Sequence, residues 1–502
     1  MFRVTSEKFK SIETFKMTKD SEKGKYAAPE GSATVEYAAA LVCSMLMFCA
    51  GSVIGFSSPA LSVLTGPDSP MTLTDSDVSA VASWMPIGHM VAPSMTLFLV
   101  NTLGRKKSLL AVGIPAVLSW GLVAIADNVT VLCIGRFLGG ISFGLGVTVT
   151  PMYLAEIVST KLRGALGVFG STSLNIGVFI MCVTLSYSGI AICSWLLMSI
   201  AVASTVGVLF LPESPYFLAM VGRFEEAEGV LELLRGLTDV SEEMLIVKET
   251  VRKQGAKVAE ELKENEEKLA GEQEEPRHGA FAALKNLFVI KGNRRGLLIN
   301  TFLILIVQWG GYGVFGVYGS LIFRDMKTPM QEKVATTVIA IIGLVFNVLA
   351  SFLIEKLGRR FLMVISGISS GICTLIVALY FYLAEYMNVD VSGYSNVAVV
   401  VSFLFVAVVS IGVMPVQLVV LSETIAPEMK GWVGLILGVG GGFTSTVISQ
   451  MYITVAVTWG FGHCVPFFGF VIINCLCTSV LVKCMPETKG KSFAQIQKEL
   501  NA

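Results

Sequence analysis

The sequence is poor in charge. Asp, Glu, Lys and Arg make up 15% of its 502 residues, and the two signs balance at 37 each, against about 25% charged residues in soluble domains. No stretch combines clustered basic residues with interleaved aromatics, so nucleic acid is set aside as a partner. Histidine is scarce, with three residues, and the ten cysteines fall in or beside apolar runs, where a thiol acts as a small hydrophobe. That distribution implies neither a disulfide framework nor a zinc site, and no metal or cofactor is expected. No nucleophile, base and orienting group gather in a water-accessible stretch, which argues against an enzyme. The opening MFRVTSEKFKSIETFKMTKDSEKGKY is lysine-rich and has no apolar core; it reads as a cytosolic tail and not as a cleaved signal peptide.

Apolar residues are what the chain has in abundance. They make up 54% of it, and the mean hydropathy is +0.72. A run of about 20 apolar residues spans a hydrocarbon core about 30 Å thick. Twelve such runs begin near Val35, Val78, Ser108, Val131, Gly164, Gly189, Gly296, Val334, Phe361, Asn396, Gly431 and Phe461. The chain is therefore expected to be an all-α membrane protein whose first partner is the lipid bilayer. Lys and Arg gather in cytosolic loops. With the N-terminus inside, the short inner loops hold nine of them (Arg105, Lys106, Lys107, Lys161, Arg163, Lys356, Arg359, Arg360, Lys430) and the outer loops three (Arg324, Lys327, Lys333). Both termini are expected to be cytosolic, and the sequon at Asn128 falls in an outer loop where glycosylation is geometrically allowed.

Residues 213–296 change character, with a helix-like GRFEEAEGVLELLRG and a densely charged KVAEELKENEEKLAGEQEEPRH. They divide the runs into six and six, and three patterns recur across the divide. EIVSTKLRG sets Glu156 and Arg163 seven apart where an apolar run ends, and ETIAPEMKG sets Glu423 and Lys430 at the same interval (423 − 156 = 267). LGRKK at Leu103 returns as LGRRF at Leu357 (358 − 104 = 254 between the glycines), and Pro212-Glu213 returns as Pro486-Glu487 (487 − 213 = 274). Parallel repeats of one bundle are typical of secondary transporters.

GRFLGGISFGLGVTVTPMYLAEIVSTKLRGALG (135–167), LPESPYFL (211–218), EKLGRR (355–360) and PETKGKSFAQIQ (486–497) resemble the sugar porters of the major facilitator superfamily, over nearly all twelve runs. GFSSPAL (55–61), SWMPIG (83–88) and PESPYF look most like the insect facilitated trehalose transporter branch. The resemblance implies twelve transmembrane helices in two six-helix bundles. It divides the chain into a cytosolic tail (1–34), an N-terminal bundle (35–212), an intracellular helical linker (213–296), a C-terminal bundle (297–484) and a second cytosolic tail (485–502). It also implies that Glu156, Arg163, Glu213, Glu355, Arg359, Arg360, Glu423, Lys430, Arg105 and Glu487 form an inter-bundle gate at the cytosolic span ends. Weak ion pairs of about 0 to 1 kcal/mol each suit a gate that must open repeatedly. Where sugar porters have an acid before xLGRR, this chain has Asn101, so Arg105 is expected to lack that loop's ion-pair partner.

A midplane site for a polyol needs hydrogen-bonding side chains and aromatic faces to replace lost water. VQWGGYGVFGVYG (307–319) places Gln308, Tyr312 and Phe315 at i, i+4 and i+7 on one helical face, with Trp309 beside them, and its glycines would let the helix bend or break. By position, sugar porters carry two glutamines and an asparagine there, at Val307, Gln308 and Gly313, and only Gln308 is kept. The family glutamine of the fifth span aligns with Ser171, the proline and tryptophan of the tenth with Gln417 and Leu418, and the NW pair of the eleventh with Gly441 and Gly442. Ser171 and Asn175 share a face, and Asn347 and Gln417 add amides; ordinary interhelical bonding is the competing role for each. Proton-coupled relatives carry an Asp in the first span where this chain has Ser57, and no span interior holds an acid, so facilitated diffusion is favoured. The expected function is a monomeric plasma-membrane facilitator of a neutral sugar such as trehalose or glucose. The alternatives are a non-transporting sugar sensor and a carrier of a non-sugar organic solute.

Overall fold

The computed structural model describes residues 33–66, 69, 71, 73–159, 162–252, 287–425, 429–491 and 493–501. Its described elements are helical, as hydrocarbon demands of a backbone with no water to bond. Span 1 is Thr34–Gly55 continued by Ser57–Leu64, span 2 is Asp75–Thr102, span 3 Arg105–Ala124, span 4 Val129–Ile157, span 5 Arg163–Ser188 and span 6 Ile190–Phe210. Three short helices follow: Pro215–Met220, Phe224–Arg235 and 241–252. In the second half, span 7 is Lys291–Trp309 and Tyr312–Asp325, span 8 Glu332–Leu357, and span 9 Arg359–Glu385. Span 10 is Ser395–Ile411 and Val413–Thr424, span 11 Lys430–Ile453, and span 12 Cys464–Cys484, with a last helix at Phe493–Asn501. Length and hydropathy alone mark 11 described spans. The remaining one is span 2, whose 28 residues include Asp75, Asp77, His89 and two prolines, Pro86 and Pro93.

Span 2 tolerates His89, Pro86 and Pro93 because protein packs on two of its faces. Span 4 lies against one, along Met85, His89 and Ala92, and span 11, from the other half, against the neighbouring one, along Pro86, Met90 and Pro93. Glycines allow both approaches: a Cβ on Gly140 of span 4 would stand 2.0 Å from the Met85 carbonyl oxygen, and one on Gly144 2.4 Å from Ala92 Cβ. Across the halves, a Cβ on Gly442 would stand 2.4 Å from Met90 Cγ and 3.1 Å from Met90 N, and one on Gly438 2.6 Å from Pro93 Cγ. Gly140 and Gly144 thus let spans 2 and 4 approach closely, and the same device joins the two halves.

The charged connector 257–278 lies outside the described residues. The helix Phe224–Arg235 is anchored at its end: Arg235 Nη1 meets Glu36 Oε1 at 2.5 Å and donates to the Ile157 carbonyl at 2.9 Å. In the second half the last helix does the same work, with Gln497 Nε2 donating to the Thr424 carbonyl at 2.7 Å. Thr424 is the repeat counterpart of Ile157 (424 − 157 = 267).

Replacing Gly442 by Ala should cost about 1–3 kcal/mol by overpacking this seam and lower the melting temperature of the detergent-solubilised protein by several degrees. Gly434→Ala, on the same helix with nothing within 4 Å of the added carbon, should leave it unchanged or slightly raised, since alanine favours helix. Equal melting temperatures for the two variants would remove Gly442 as a packing requirement.

Candidate transport pathway and its gates

The repeated charges build two matching clusters at one end of the bundle. In the first half Gly104, at φ 90°, turns the chain into span 3, whose first amides are left without intrahelical acceptors. Glu213 fills that role, accepting from Arg105 N at 2.9 Å and Lys106 N at 3.1 Å. The Arg105 guanidinium lies against Glu156, Nε to Oε2 at 2.9 Å, and 5.2 Å over the Phe217 ring. Ser214 Oγ donates to Glu156 as well, and Lys106 Nζ reaches the Leu209 carbonyl at 2.8 Å.

The second half repeats nearly every contact. Gly358, also at φ 90°, precedes span 9, and Glu487 accepts from Arg359 N at 3.0 Å and Arg360 N at 3.1 Å. Burial would raise the Glu487 carboxyl, but amides of Lys489, Arg359, Arg360 and Thr488 outweigh it and hold it below its ordinary range. Arg359 Nη2 lies 3.0 Å from both Glu423 and Glu355, and Arg360 Nη2 reaches the Val482 carbonyl at 2.7 Å. One contact is missing: Glu423 Oε2 and Thr488 Oγ1 are buried without partners, where Glu156 and Ser214 bond in the first half.

Two expectations change. Arg105 is not left without a carboxylate, because Glu156 supplies it; Asn101, exposed, merely donates to the Leu97 carbonyl at 2.9 Å. The ion pairs these groups make among the described residues stay within one half, so in this conformation the clusters brace each bundle internally. Lys430 is exposed, and the Arg163 side chain lies outside the described residues.

The halves meet at the opposite end. Ser320 N donates to Ser58 Oγ at 2.9 Å and Ser320 Oγ to the Ser58 carbonyl at 2.6 Å. Ser62 Oγ donates to Glu332, and Arg324 Nη1 to Thr65 Oγ1 at 3.3 Å. Asn128 is exposed and caps span 4, its Oδ1 accepting from Val131 N at 3.0 Å.

Between these ends lie the midplane candidates. Span 7 breaks at Gly310 and Gly311, the latter at φ 103°, so the expected single face of Gln308, Tyr312 and Phe315 does not form. Phe315 turns instead into an aromatic core with Phe405 at 5.4 Å and Phe467 at 5.7 Å, and is 3% exposed. Gln308 is half-buried and has no partner among the described residues. Its Oε1 lies where a Cβ on Gly313 would be 2.9 Å away, so the glycine at the family's asparagine position leaves room for it. Trp309 Nε1 is buried without a partner, and Tyr312 lies beside Ser410. Asn175 Nδ2 donates across the halves to Asn347 Oδ1 at 3.3 Å and to the Ser171 carbonyl at 3.0 Å. Ser171, exposed, lines a cavity of about 230 Å³ with Met47, Thr150, Pro151 and Gly170. Gln417 is half-buried on the second segment of span 10.

Sequence reasoning missed Arg136. This lone cation in span 4 is 3% exposed, with Nη1 donating to the Val53 carbonyl at 2.8 Å, Nη2 to Ser57 Oγ at 2.6 Å, and its carbon 4.9 Å over the Phe56 ring. Its signal was an arginine inside an apolar run, a residue expensive enough there to require a role.

Two bundles of six spans related by a repeat, with breaks in spans 7 and 10 and bridges between halves at one end, define a carrier of the major facilitator fold. The family model described as "Sugar (and other) transporter" matches residues 39–500, and the chain belongs to that family. It is 30% identical to sugar transporter ERD6-like 6 of Arabidopsis thaliana, covering 89% of this chain and 86% of that protein. It is 26% identical to the facilitated trehalose transporter Tret1 of Culex quinquefasciatus, covering 92% and 85%. Among solved structures, the inward-open xylose transporter XylE of E. coli matches with a TM-score of 0.70 at 20% identity, covering 92% of this chain and 99% of that one.

The two clusters should respond unequally to charge removal. Glu156→Gln strips the carboxylate from Arg105, which is 4% exposed, and should cost about 1–3 kcal/mol. Glu423→Gln should cost less, because Glu355 still faces Arg359 and Glu423 Oε2 has no bond to lose. Thermal unfolding in detergent reads the difference; a larger loss at Glu423 would contradict the bonding pattern.

Proposed function

We propose that the chain is a facilitative carrier of a neutral sugar such as trehalose or glucose. It sits in the plasma membrane with the two charged clusters on the cytosolic side and works by alternating access. The observation that carries the passive mechanism is Arg136: the side chain of span 1 that accepts a hydrogen bond from its guanidinium is the Ser57 hydroxyl, which does not titrate in the physiological range, where proton-coupled relatives carry an Asp. A sugar crossing the midplane must exchange its bonds with water for bonds with protein. Gln308 offers an amide with both donor and acceptor capacity, beside the break of span 7. Gln417 offers a second from span 10, and the Asn175–Asn347 bond offers two more once it opens.

Reconstituted protein should equilibrate a transported sugar and never concentrate it. Counterflow of labelled glucose and trehalose in proteoliposomes tests this, with and without an imposed pH gradient. Accumulation above the outside level, abolished by an uncoupler, would refute the passive mechanism.

Gln308→Leu should leave a solute hydroxyl unpaired at a cost of about 1–3 kcal/mol, lowering affinity about 5- to 150-fold. Tyr312→Phe keeps the ring and should cost less. Binding within twofold of the parent for Gln308→Leu would shift the site to Ser171, Asn175 and Gln417.

A further inference from the structure

Span 10 is broken at Gly412, whose ψ of −84° takes the chain off its helical course. The break leaves the Val413 amide without an intrahelical acceptor in a place where water cannot bond it, while the Val408 carbonyl keeps its bond from Gly412 N at 3.2 Å. One side chain from span 9 meets that need. Ser366 Oγ donates to the Val408 carbonyl at 2.8 Å and accepts from Val413 N at 3.2 Å. The first bond ends on the segment before the break, and the second on the first residue after it. A hydroxyl has one proton to give and lone pairs to accept, so Ser366 spends its donor on one side of the break and an acceptor on the other. The fit is close: a Cβ on Gly412 would stand 2.2 Å from Ser366 Cβ and 3.0 Å from the Leu362 carbonyl oxygen. Ser366 is 3% exposed.

The first half shows what happens without this residue. The repeat offsets carry Ser366 to Val112 (366 − 254 = 112) and Gly412 to Leu145 (412 − 267 = 145). There span 4 runs unbroken over Val129–Ile157, and the corresponding helix pair is joined the other way round, Ser142 Oγ of span 4 donating to the Val112 carbonyl at 2.8 Å. The break, the glycine and the serine on the crossing helix occur together in the second half.

We propose that Ser366 is a positioning residue that pins the second segment of span 10. Its hydroxyl replaces the rung lost at the Val413 amide and sets the angle of Val413–Thr424, the arm that carries Gln417 toward the midplane and Glu423 to the charged cluster. Beyond the burial of Val413 and Val416, the side-chain bond at the arm's near end is that of Ser366, and its far end is bonded by Arg359, Asn300 and Gln497. Freed at Ser366, it pivots about the far contacts and displaces Gln417.

Backbone hydrogen exchange of the whole detergent-solubilised protein tests this without any solute, and so independently of the proposed function. Ser366→Ala should speed exchange of peptides within 413–424 by about fivefold or more, the loss of roughly one hydrogen bond, and leave spans 8 and 12 unchanged. Ser366→Cys, a weak donor and acceptor, should fall between. Unchanged exchange in the arm, or an equal rise across the whole second half, would overturn the pin and leave Ser366 as packing. If Ser366→Ala does not fold, Ser366→Cys carries the test alone: the arm should still exchange faster than in the parent, and parent-like exchange there would overturn the proposal. The transport arm rests on the carrier reading. With labelled glucose and trehalose, Ser366→Ala should raise KM about 5- to 10-fold at nearly constant kcat, and should add nothing to KM in a Gln417→Ala background. Additive effects would refute action through Gln417.

Discussion

A backbone amide or carbonyl without a partner in hydrocarbon costs several kcal/mol, and the irregular parts of this molecule are arranged around that cost. Where helices start at the charged end, Glu213 and Glu487 accept from the first amides of spans 3 and 9. Where span 1 passes Phe56, Arg136 holds the Val53 carbonyl and Ser320 the Ser58 carbonyl. Where span 10 breaks, a hydroxyl from span 9 stands in for the missing rung. In the proposed carrier each of these side chains can exchange one backbone partner for another as the helices shift, whereas an apolar contact would simply be lost.

The repeat explains why the same solution is found twice, and its imperfections show where the halves differ. Glycine at φ 90°, arginine on glutamate, a glutamate on two amides and a basic side chain on a carbonyl recur in both clusters. The exchange of Ser214 for Thr488 accompanies a gap: the first cluster closes through Ser214 on Glu156, while in the second both facing oxygens lack partners. The half with the open contact is also the half whose spans 7 and 10 are broken.

Much of this was legible in the sequence. Apolar runs of membrane length gave the spans because a helix of about 20 apolar residues matches the thickness of the hydrocarbon core, and the three recurring motifs gave the halves. Span 2 shows why composition is not sufficient by itself, since polar residues are tolerated where protein and not lipid covers them. The cavity was less legible. The helical face drawn through Gln308, Tyr312 and Phe315 assumed an unbroken helix, and two glycines removed the assumption. Pairing at the gates was misread at Asn101 because a charge sought its partner four residues away and found it on span 4. Arg136 was passed over since one arginine in a motif carries no visible partner until the fold brings Val53 and Ser57 to it.

The contacts that join the halves bear on the mechanism. Ser58 with Ser320, and Asn175 with Asn347, are neutral hydrogen bonds, each worth about 0.5–1.5 kcal/mol net, and Glu332 and Arg324 add charged ones to Ser62 and Thr65. The three neutral bonds together shift a two-state equilibrium by about one to three powers of ten, a range that the proposed carrier can cross by thermal motion without a driving ion. The glycine seam of span 2 on span 11 is different in kind, since backbones in contact can roll but cannot separate without opening a void. In the proposed carrier the seam is thus the element on which the halves turn, and the hydrogen bonds are what each turn breaks. A solute that bonds to Asn175 or Asn347 competes directly with one of them, so that binding itself weakens the contact holding the halves in place.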